Sequence, residues 1–384
     1  MTRVLLVPDL PVERWPSMDR YASRLHTHLP AVAGDLEYAI ACSIASLTQE
    51  PQAGRAVGSG SLAGVEQRTG VSAIGRYVRR YIGYPRRVRR QAPDVVHVLD
   101  HSYAHMVRCH PDVPAVVTVH DLLPVLTVRR RALGWRERLR NAMLRRVLVA
   151  LRDARAWIVG TEWLRGELGE WLGGTDGIHV IPFGVDEAFA QPTETPRDAT
   201  RRRWEIPDGA FLLLHVGSVG ERKNIPTVIA ALDGLRDRGV NAWLLQVGGR
   251  FDAEQRDELA ARKLTAVVRQ VPAVDEPELR AAYRASDVLL FPSLYEGFGF
   301  PVLEAMASEL PVVTSGAAGL MEVAGDAATV VSGRNPDRYV DPLHDLATNP
   351  DAVADLRARG RVHAARFSWA ETARRTVEVY RTLV

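Results

Sequence analysis

Short apolar runs recur along the chain, each closed by polar or turn-forming residues and followed by a stretch with helical spacing. The first half holds Val4 to Val7, Leu36 to Ser43, Asp94 to Leu99, Ala115 to Val119, Trp157 to Gly160 and His179 to Pro182. The second half holds Phe211 to Val216, Ala242 to Val247, Ala266 to Val271, Val288 to Phe291, Pro311 to Thr314 and Thr329 to Val331. Runs this short suit strands, and near-continuous apolarity means burial on both faces. Alternation with amphipathic helices, such as the stretch Asp19 to Leu29 with Tyr21, Leu25 and Leu29 on one face, specifies a doubly wound α/β fold with parallel sheets. The chain has 384 residues, 46% of them hydrophobic, which is enough for two cores. Gln191 to Asp198 has linker composition, so the expected domains are 1–188 and 189–366. Gln49 to Gly75, rich in Gly, Ser, Ala and Gln, is expected to be a mobile loop.

The chemistry concentrates after two strands of the second half. Pro292 closes the run Val288 to Phe291, and Gly297 and Gly299 allow backbone to approach a ligand closely. Pro301 suits the first position of a helix, predicted over 301–308, whose free N–H groups and positive dipole end would hold a phosphate or diphosphate. Glu296 and Glu304 border that loop and can accept hydrogen bonds from vicinal hydroxyls. Taken alone, this pattern is equally that of an ordinary strand, loop and helix in which Glu304 complements the dipole. The run Phe211 to Val216 leads into Gly217, Ser218 and the pair Arg222 and Lys223, which can neutralise a diphosphate. Lys223 is one of two lysines, with Lys263, in a chain of 49 basic residues, which suggests a demand for an ammonium at that point.

The segment Tyr-Glu-Gly-Phe-Gly-Phe-Pro-Val-Leu-Glu-Ala-Met-Ala, residues 295–307, resembles the donor-site signature of the retaining glycosyltransferases of family 4, which have the GT-B fold. That resemblance implies two facing Rossmann-like domains, a cleft between them, and a terminal helix within 367–384 packing back on the first. It implies that Glu296 contacts the donor sugar and Glu304 the ribose, with Gly297, Phe298, Gly299, Phe300 and Leu303 holding sugar and diphosphate. Gly217 to Pro226 is similar to the family's phosphate loop, with Ser218 where an Arg is common, and Val268 to Val274 is similar to its base-contacting segment, giving Val274. Val-Thr-Val-His-Asp-Leu-Leu-Pro, residues 117–124, resembles the His-Asp segment that puts His120 near the donor sugar. A lone histidine after a strand is otherwise most often hydrogen-bonded to nearby backbone. Asp19, Arg20, Tyr21, Asp100, His101 and Asp121 are acceptor-side candidates, with His105 weaker. The family's usual Gly-Gly pair after the first strand is replaced by Ser17-Met18-Asp19.

The implied activity is retaining transfer of a hexose-type sugar from a nucleoside-diphosphate sugar to a hydroxyl, with no cofactor. Arg222, Lys223 and the helix start would take the leaving-group charge instead of a metal, since no Asp-X-Asp motif occurs. Cys42 and Cys109, the only cysteines, argue against a disulfide framework and a zinc site. The first apolar run is too short for a signal peptide and no stretch of eighteen apolar residues occurs, so a cytoplasmic chain is expected. Net charge is only +3, but seven arginines fall in residues 76–90 and eight in 129–146. Such segments are either solvated faces or a surface for anionic lipid or an anionic acceptor, which points to an envelope glycan, glycolipid or lipid-linked acceptor and peripheral attachment to the inner membrane face. No nucleic-acid module appears. The alternatives are a non-catalytic nucleotide-sugar-binding subunit of a glycan assembly complex, and a GT-B epimerase or phosphorylase.

Overall fold

The structure, a computed structural model, describes residues 1–11, 13, 15–41, 73–123, 135–272 and 274–384. Cys42, the expected loop up to residue 72, Pro124 and Arg129 to Arg131 lie outside the described residues. The described chain forms two compact units, one holding residues 1–41, 73–184 and 367–384, the other residues 185–366.

In the first unit, β1 (Thr2–Val7), β2 (Leu36–Ile40), β3 (Val95–Val98), β4 (Ala115–Val119), β5 (Ala156–Val159) and β6 (Ile178–Val180) form a parallel sheet in the order β2-β1-β3-β4-β5-β6. β3 and β4 are buried along their whole length, which is why their sequences are unbroken by outward-facing polar residues and carry only His97 and Thr118 as polar members. The helix Pro16–Val32 starts on a proline and buries Tyr21, Ala22, Leu25 and Leu29 as a stripe of period near four. It packs against the final helix, Trp369–Arg381. The Ser368 hydroxyl caps that helix by accepting from the Glu371 N–H at 3.1 Å. The segment 73–89 is helical with one π turn at Arg79–Gly83, and a second arginine-bearing helix spans Trp135–Leu151.

The second unit's sheet runs β12-β11-β10-β7-β8-β9, from β7 (Phe211–Gly217), β8 (Ala242–Gly248), β9 (Val268–Pro272), β10 (Val288–Phe291), β11 (Val312–Ser315) and β12 (Thr329–Val331). Its order therefore reverses between β7 and β10. In the first unit the reversal lies between β1 and β3. Open α/β sheets bind ligands outside the carboxyl ends of strands at such reversals, where the two loops diverge onto opposite faces. The expected strand at 266–271 starts later, because Thr265–Val267 close a 3-10 turn before β9 begins at Val268. β9 can end on Pro272 because it is an edge strand, where a missing N–H costs no ladder bond. The helix expected at 301–308 spans Phe300–Ala307, set one residue earlier by the left-handed cap at Gly299. Among the described residues, no helix is long and apolar enough to cross a membrane.

Candidate functional site

The loops after β7 and β10 meet at the reversal of the second unit. The Leu294 N–H donates to the Arg222 carbonyl at 2.7 Å, and the Asn224 side-chain amide to the Pro292 carbonyl at 3.2 Å. This stitching brings three predicted residues together. Arg222 Nη1 and Lys223 Nζ both donate to Glu296 Oε1 at 2.6 Å. Lys223 is only 5% exposed and its ammonium lies 4.4 Å from the Phe291 ring centroid, a cation–π contact. Gly217 makes room for it: the backbone there has φ +138, and a Cβ would stand 3.2 Å from Lys223 Cε. Burial pushes the Glu296 carboxyl up, but the charges of Lys223 and Arg222 outweigh this and hold it below the usual carboxylate range. Glu296 is therefore ionised at neutral pH and one carboxylate faces two cations, leaving the cluster net positive.

Behind the glycine loop, Gly297, Phe298 and Gly299 are buried and Phe300 is half-buried. Gly299 needs its φ of +98, and a Cβ there would lie 2.5 Å from Leu320 Cδ2. Glu304 is buried, and its Oε2 accepts from the Tyr283 hydroxyl at 2.8 Å. Leu303 is wholly enclosed, which limits it to a backbone contact with any ligand. Ser218 is exposed after β7, and Val274 is half-buried beyond β9. Tyr283 was missed by sequence reasoning, because an aromatic on the apolar side of a helix looks like core.

In the first unit, His120 follows β4. Its Nε2 lies 2.9 Å from the Leu99 carbonyl, which can only accept, so the proton of the neutral ring sits on Nε2 and Nδ1 carries a lone pair. Among the described residues Nδ1 has no hydrogen-bond partner. Burial lowers the His120 pKa, with Asp100 opposing, so the ring stays neutral. The Tyr21 ring meets His120 edge-on at 4.9 Å, and Phe183 lies 5.3 Å away. Tyr21 is sealed from solvent with its hydroxyl 3.0 Å from Thr118 Oγ1. This acceptor-side candidate therefore lies inside the unit against His120, because its helix turns that face onto the sheet.

The other acceptor-side candidates gather at the ends of β1, β3 and β4. His101 Nδ1 pairs with Asp100 Oδ1 at 3.0 Å, and its Nε2 lies 3.8 Å from Asp121 Oδ1. Burial would raise Asp100, but the His101 partnership outweighs it and the carboxyl is held low. Burial, followed by the charge of Asp100, pushes Asp9 well above its usual range, which favours its protonated form. Burial also pushes Asp19 up to about 7. Asp9 was missed, although its place directly after β1 at the sheet reversal was a usable signal. Arg20 is half-buried and His105 Nε2 lies 3.4 Å from the Arg80 carbonyl. Arg80 itself turns inward over the Tyr103 ring, at 4.1 Å from its centroid, and pairs with Glu13 at 3.3 Å. Arg76 is also buried, so two of the seven arginines in 76–90 belong to the interior and not to a solvated face.

Comparison with known proteins finds similar families and folds. The family Glycosyl transferases group 1 matches residues 196–363, and Glycosyltransferase Family 4 matches residues 39–189. A D-inositol 3-phosphate glycosyltransferase 1 of Catenulispora acidiphila is 32% identical over 219 residues, covering 54% of this chain and 52% of that protein. A D-inositol 3-phosphate glycosyltransferase of Thermobispora bispora is 34% identical over 216 residues, covering 53% and 50%. The chain thus spans about half the length of the curated relatives it matches. Among solved structures, Anabaena Alr3699/HepE in complex with UDP and glucose superposes with a TM-score of 0.72 at 15% identity, covering 100% of both chains. WaaG, a glycosyltransferase involved in lipopolysaccharide biosynthesis, superposes with a TM-score of 0.70 at 17% identity, covering 98% of this chain and 99% of that one.

Proposed function

The chain belongs to the family 4 glycosyltransferases of the GT-B fold, and on that premise we propose that it transfers a hexose-type sugar from a nucleoside-diphosphate sugar to a hydroxyl acceptor with retention of configuration. The observation that carries this is the sharing of one Glu296 oxygen by Arg222 and Lys223 beside the glycine loop and the start of the helix Phe300–Ala307. An incoming diphosphate, with more charge than one carboxylate, draws both cations toward itself and frees Glu296 for the sugar hydroxyls. Backbone from Gly217, Ser218, Gly297, Phe298, Gly299, Phe300 and Leu303 holds the phosphates and sugar, Glu304 takes the ribose, and Val274 meets the base. His120 offers its Nδ1 lone pair to a sugar hydroxyl. UDP-glucose is the first donor to try, since Alr3699/HepE binds it.

In this reading residues 189–366 bind the donor, and residues 1–188 with 367–384 bind the acceptor through Asp19, Arg20, Asp100, His101 and Asp121. The acceptor is an envelope glycan, a glycolipid or a lipid-linked intermediate presented at the cytoplasmic face of a membrane. Tyr77, Val78 and Ile82 support this, being 41%, 48% and 45% exposed on a helical stretch that also carries exposed Arg79, Arg86, Arg87, Arg89 and Arg90.

The test is incubation with UDP-glucose and other nucleotide sugars over a lipid and glycan extract, with products read by mass spectrometry and the new linkage by NMR. An α-linked product from an α-donor supports the proposal. An inverted linkage refutes retention, and nucleotide binding without transfer refutes the enzyme. Failure to float with anionic liposomes at low salt refutes the membrane face.

A further inference from the structure

A row of buried polar groups crosses the first unit from its last helix to the site histidine. Tyr380 Oη lies 2.6 Å from His97 Nδ1, His97 Nε2 lies 2.8 Å from Thr118 Oγ1, and Thr118 Oγ1 lies 3.0 Å from Tyr21 Oη. The Tyr21 ring then stands edge-on against His120. Thr118 and His120 are two residues apart at the end of β4, so their side chains leave the backbone on one face. Tyr21, Tyr380, His97 and Thr118 are each 0% exposed, and no water can substitute for a lost partner. His97 is kept neutral by burial first and by the neighbouring His120 second, its pKa falling to about 3.

A neutral imidazole donates at one nitrogen and accepts at the other, which makes the row directional. When Tyr380 donates to Nδ1, Nε2 must donate to Thr118. When Nδ1 donates to Tyr380, Thr118 must donate to Nε2. The orientation of one hydroxyl on the last helix therefore fixes the proton of Thr118, and through it the seat of Tyr21. The same helix braces the cage twice more: the Trp369 ring packs on Tyr21 at 5.8 Å, and the Thr372 hydroxyl donates to the Pro182 carbonyl at 2.8 Å, one residue before Phe183.

We propose that Tyr380 is a positioning residue for His120, acting through His97, Thr118 and Tyr21. It builds on the proposed role of His120 at the sugar. A side chain fixed by such buried neighbours keeps a reacting group within the narrow geometry that turnover needs.

The test reads the imidazole of His120 directly, by two-bond nitrogen–proton NMR on histidine-labelled full-length protein, with His120→Asn for assignment. Wild type is expected to show the Nε2–H tautomer. Tyr380→Phe and Thr118→Val should each shift the His120 ring signals, the double variant should shift them no further than one single, and Thr118→Ser should leave them in place. In donor turnover, Tyr380→Phe should lower kcat by about tenfold with donor KM within about twofold. His120 signals unchanged in Tyr380→Phe while those of His97 move would overturn the proposal. So would a His120 shift with unchanged kcat, or additive shifts in the double variant. If no nucleotide sugar is turned over, the proposed function fails on its own, and the spectra still decide the row.

Discussion

Replacing Lys223 by arginine keeps the charge, yet it is expected to fail almost as badly as removing it. Lys223 Nζ reaches Glu296 at 2.6 Å through a slot with Gly217 on one side and the Phe291 ring on another. A Cβ at Gly217 would already press on the lysine stem at 3.2 Å, so a planar guanidinium has no room to lie there. For Lys223→Met, loss of one fixed charge aimed at a developing diphosphate costs roughly 2.7–4 kcal/mol, or about 10²–10³-fold in turnover. Lys223→Arg should regain less than about tenfold of that, because its charge is pushed toward solvent, where an ion pair is worth little. The assay is nucleotide release from UDP-glucose with acceptor, beside a thermal melt showing that both variants fold. Turnover by Lys223→Arg within about threefold of wild type would show that charge alone matters and that the slot does not.

Three further outcomes follow from the same contacts. Burial holds His215 near a pKa of 3, against about 6.5 for a free histidine, so its stabilisation is full above pH 6.5 and is lost as pH falls toward 3. At pH 5 this removes roughly 2 kcal/mol, and hydrogen-exchange protection factors across β7 and β8, corrected for the pH dependence of intrinsic exchange, should fall between pH 6.5 and 5 in wild type but much less in His215→Gln. Gly299→Ala forces a side chain into φ +98 and against Leu320, and should cost at least about 1–2 kcal/mol, seen as a lowered melting temperature. Tyr283→Phe leaves Glu304 without its 2.8 Å donor and should weaken UDP binding by about three- to tenfold by calorimetry; unchanged affinity would detach Glu304 from the nucleotide.

The parts of the second unit that local chemistry dictates could be read from the sequence. Pro292, Gly297, Gly299 and Pro301 mark a strand end, a close backbone approach and a helix start without reference to the rest of the chain. That Arg222 and Lys223 would share a single oxygen of Glu296 was not readable. It depends on β7 lying beside β10, and the order of strands in a parallel sheet is set by helix packing far along the chain. The tautomer of His120 was equally hidden, because it rests on the carbonyl of Leu99 in the neighbouring strand. His97 offered a signal that went unused: one histidine within the apolar run Val95–Val98 needs two buried partners, and it finds them in Thr118 and Tyr380.

The arrangement around Glu296 also separates two roles that a simple loss of activity would merge. On the proposed function Glu296 competes with an incoming diphosphate for Arg222 and Lys223, since both cations rest on its Oε1. On the same proposal the donor sugar then needs that carboxylate. Glu296→Gln removes the competition and keeps the shape, so binding of UDP, which has no sugar, should tighten by about three- to tenfold, or about 0.7–1.4 kcal/mol. Turnover of UDP-glucose should fall by about 10²-fold, because an amide accepts weaker hydrogen bonds from hydroxyls and cannot stabilise positive charge developing on the sugar ring. Calorimetry with UDP and a turnover assay on the same preparation give both numbers. If UDP binding weakens in step with turnover, Glu296 serves to hold the two cations in place and the sugar contact must be sought elsewhere in the loop.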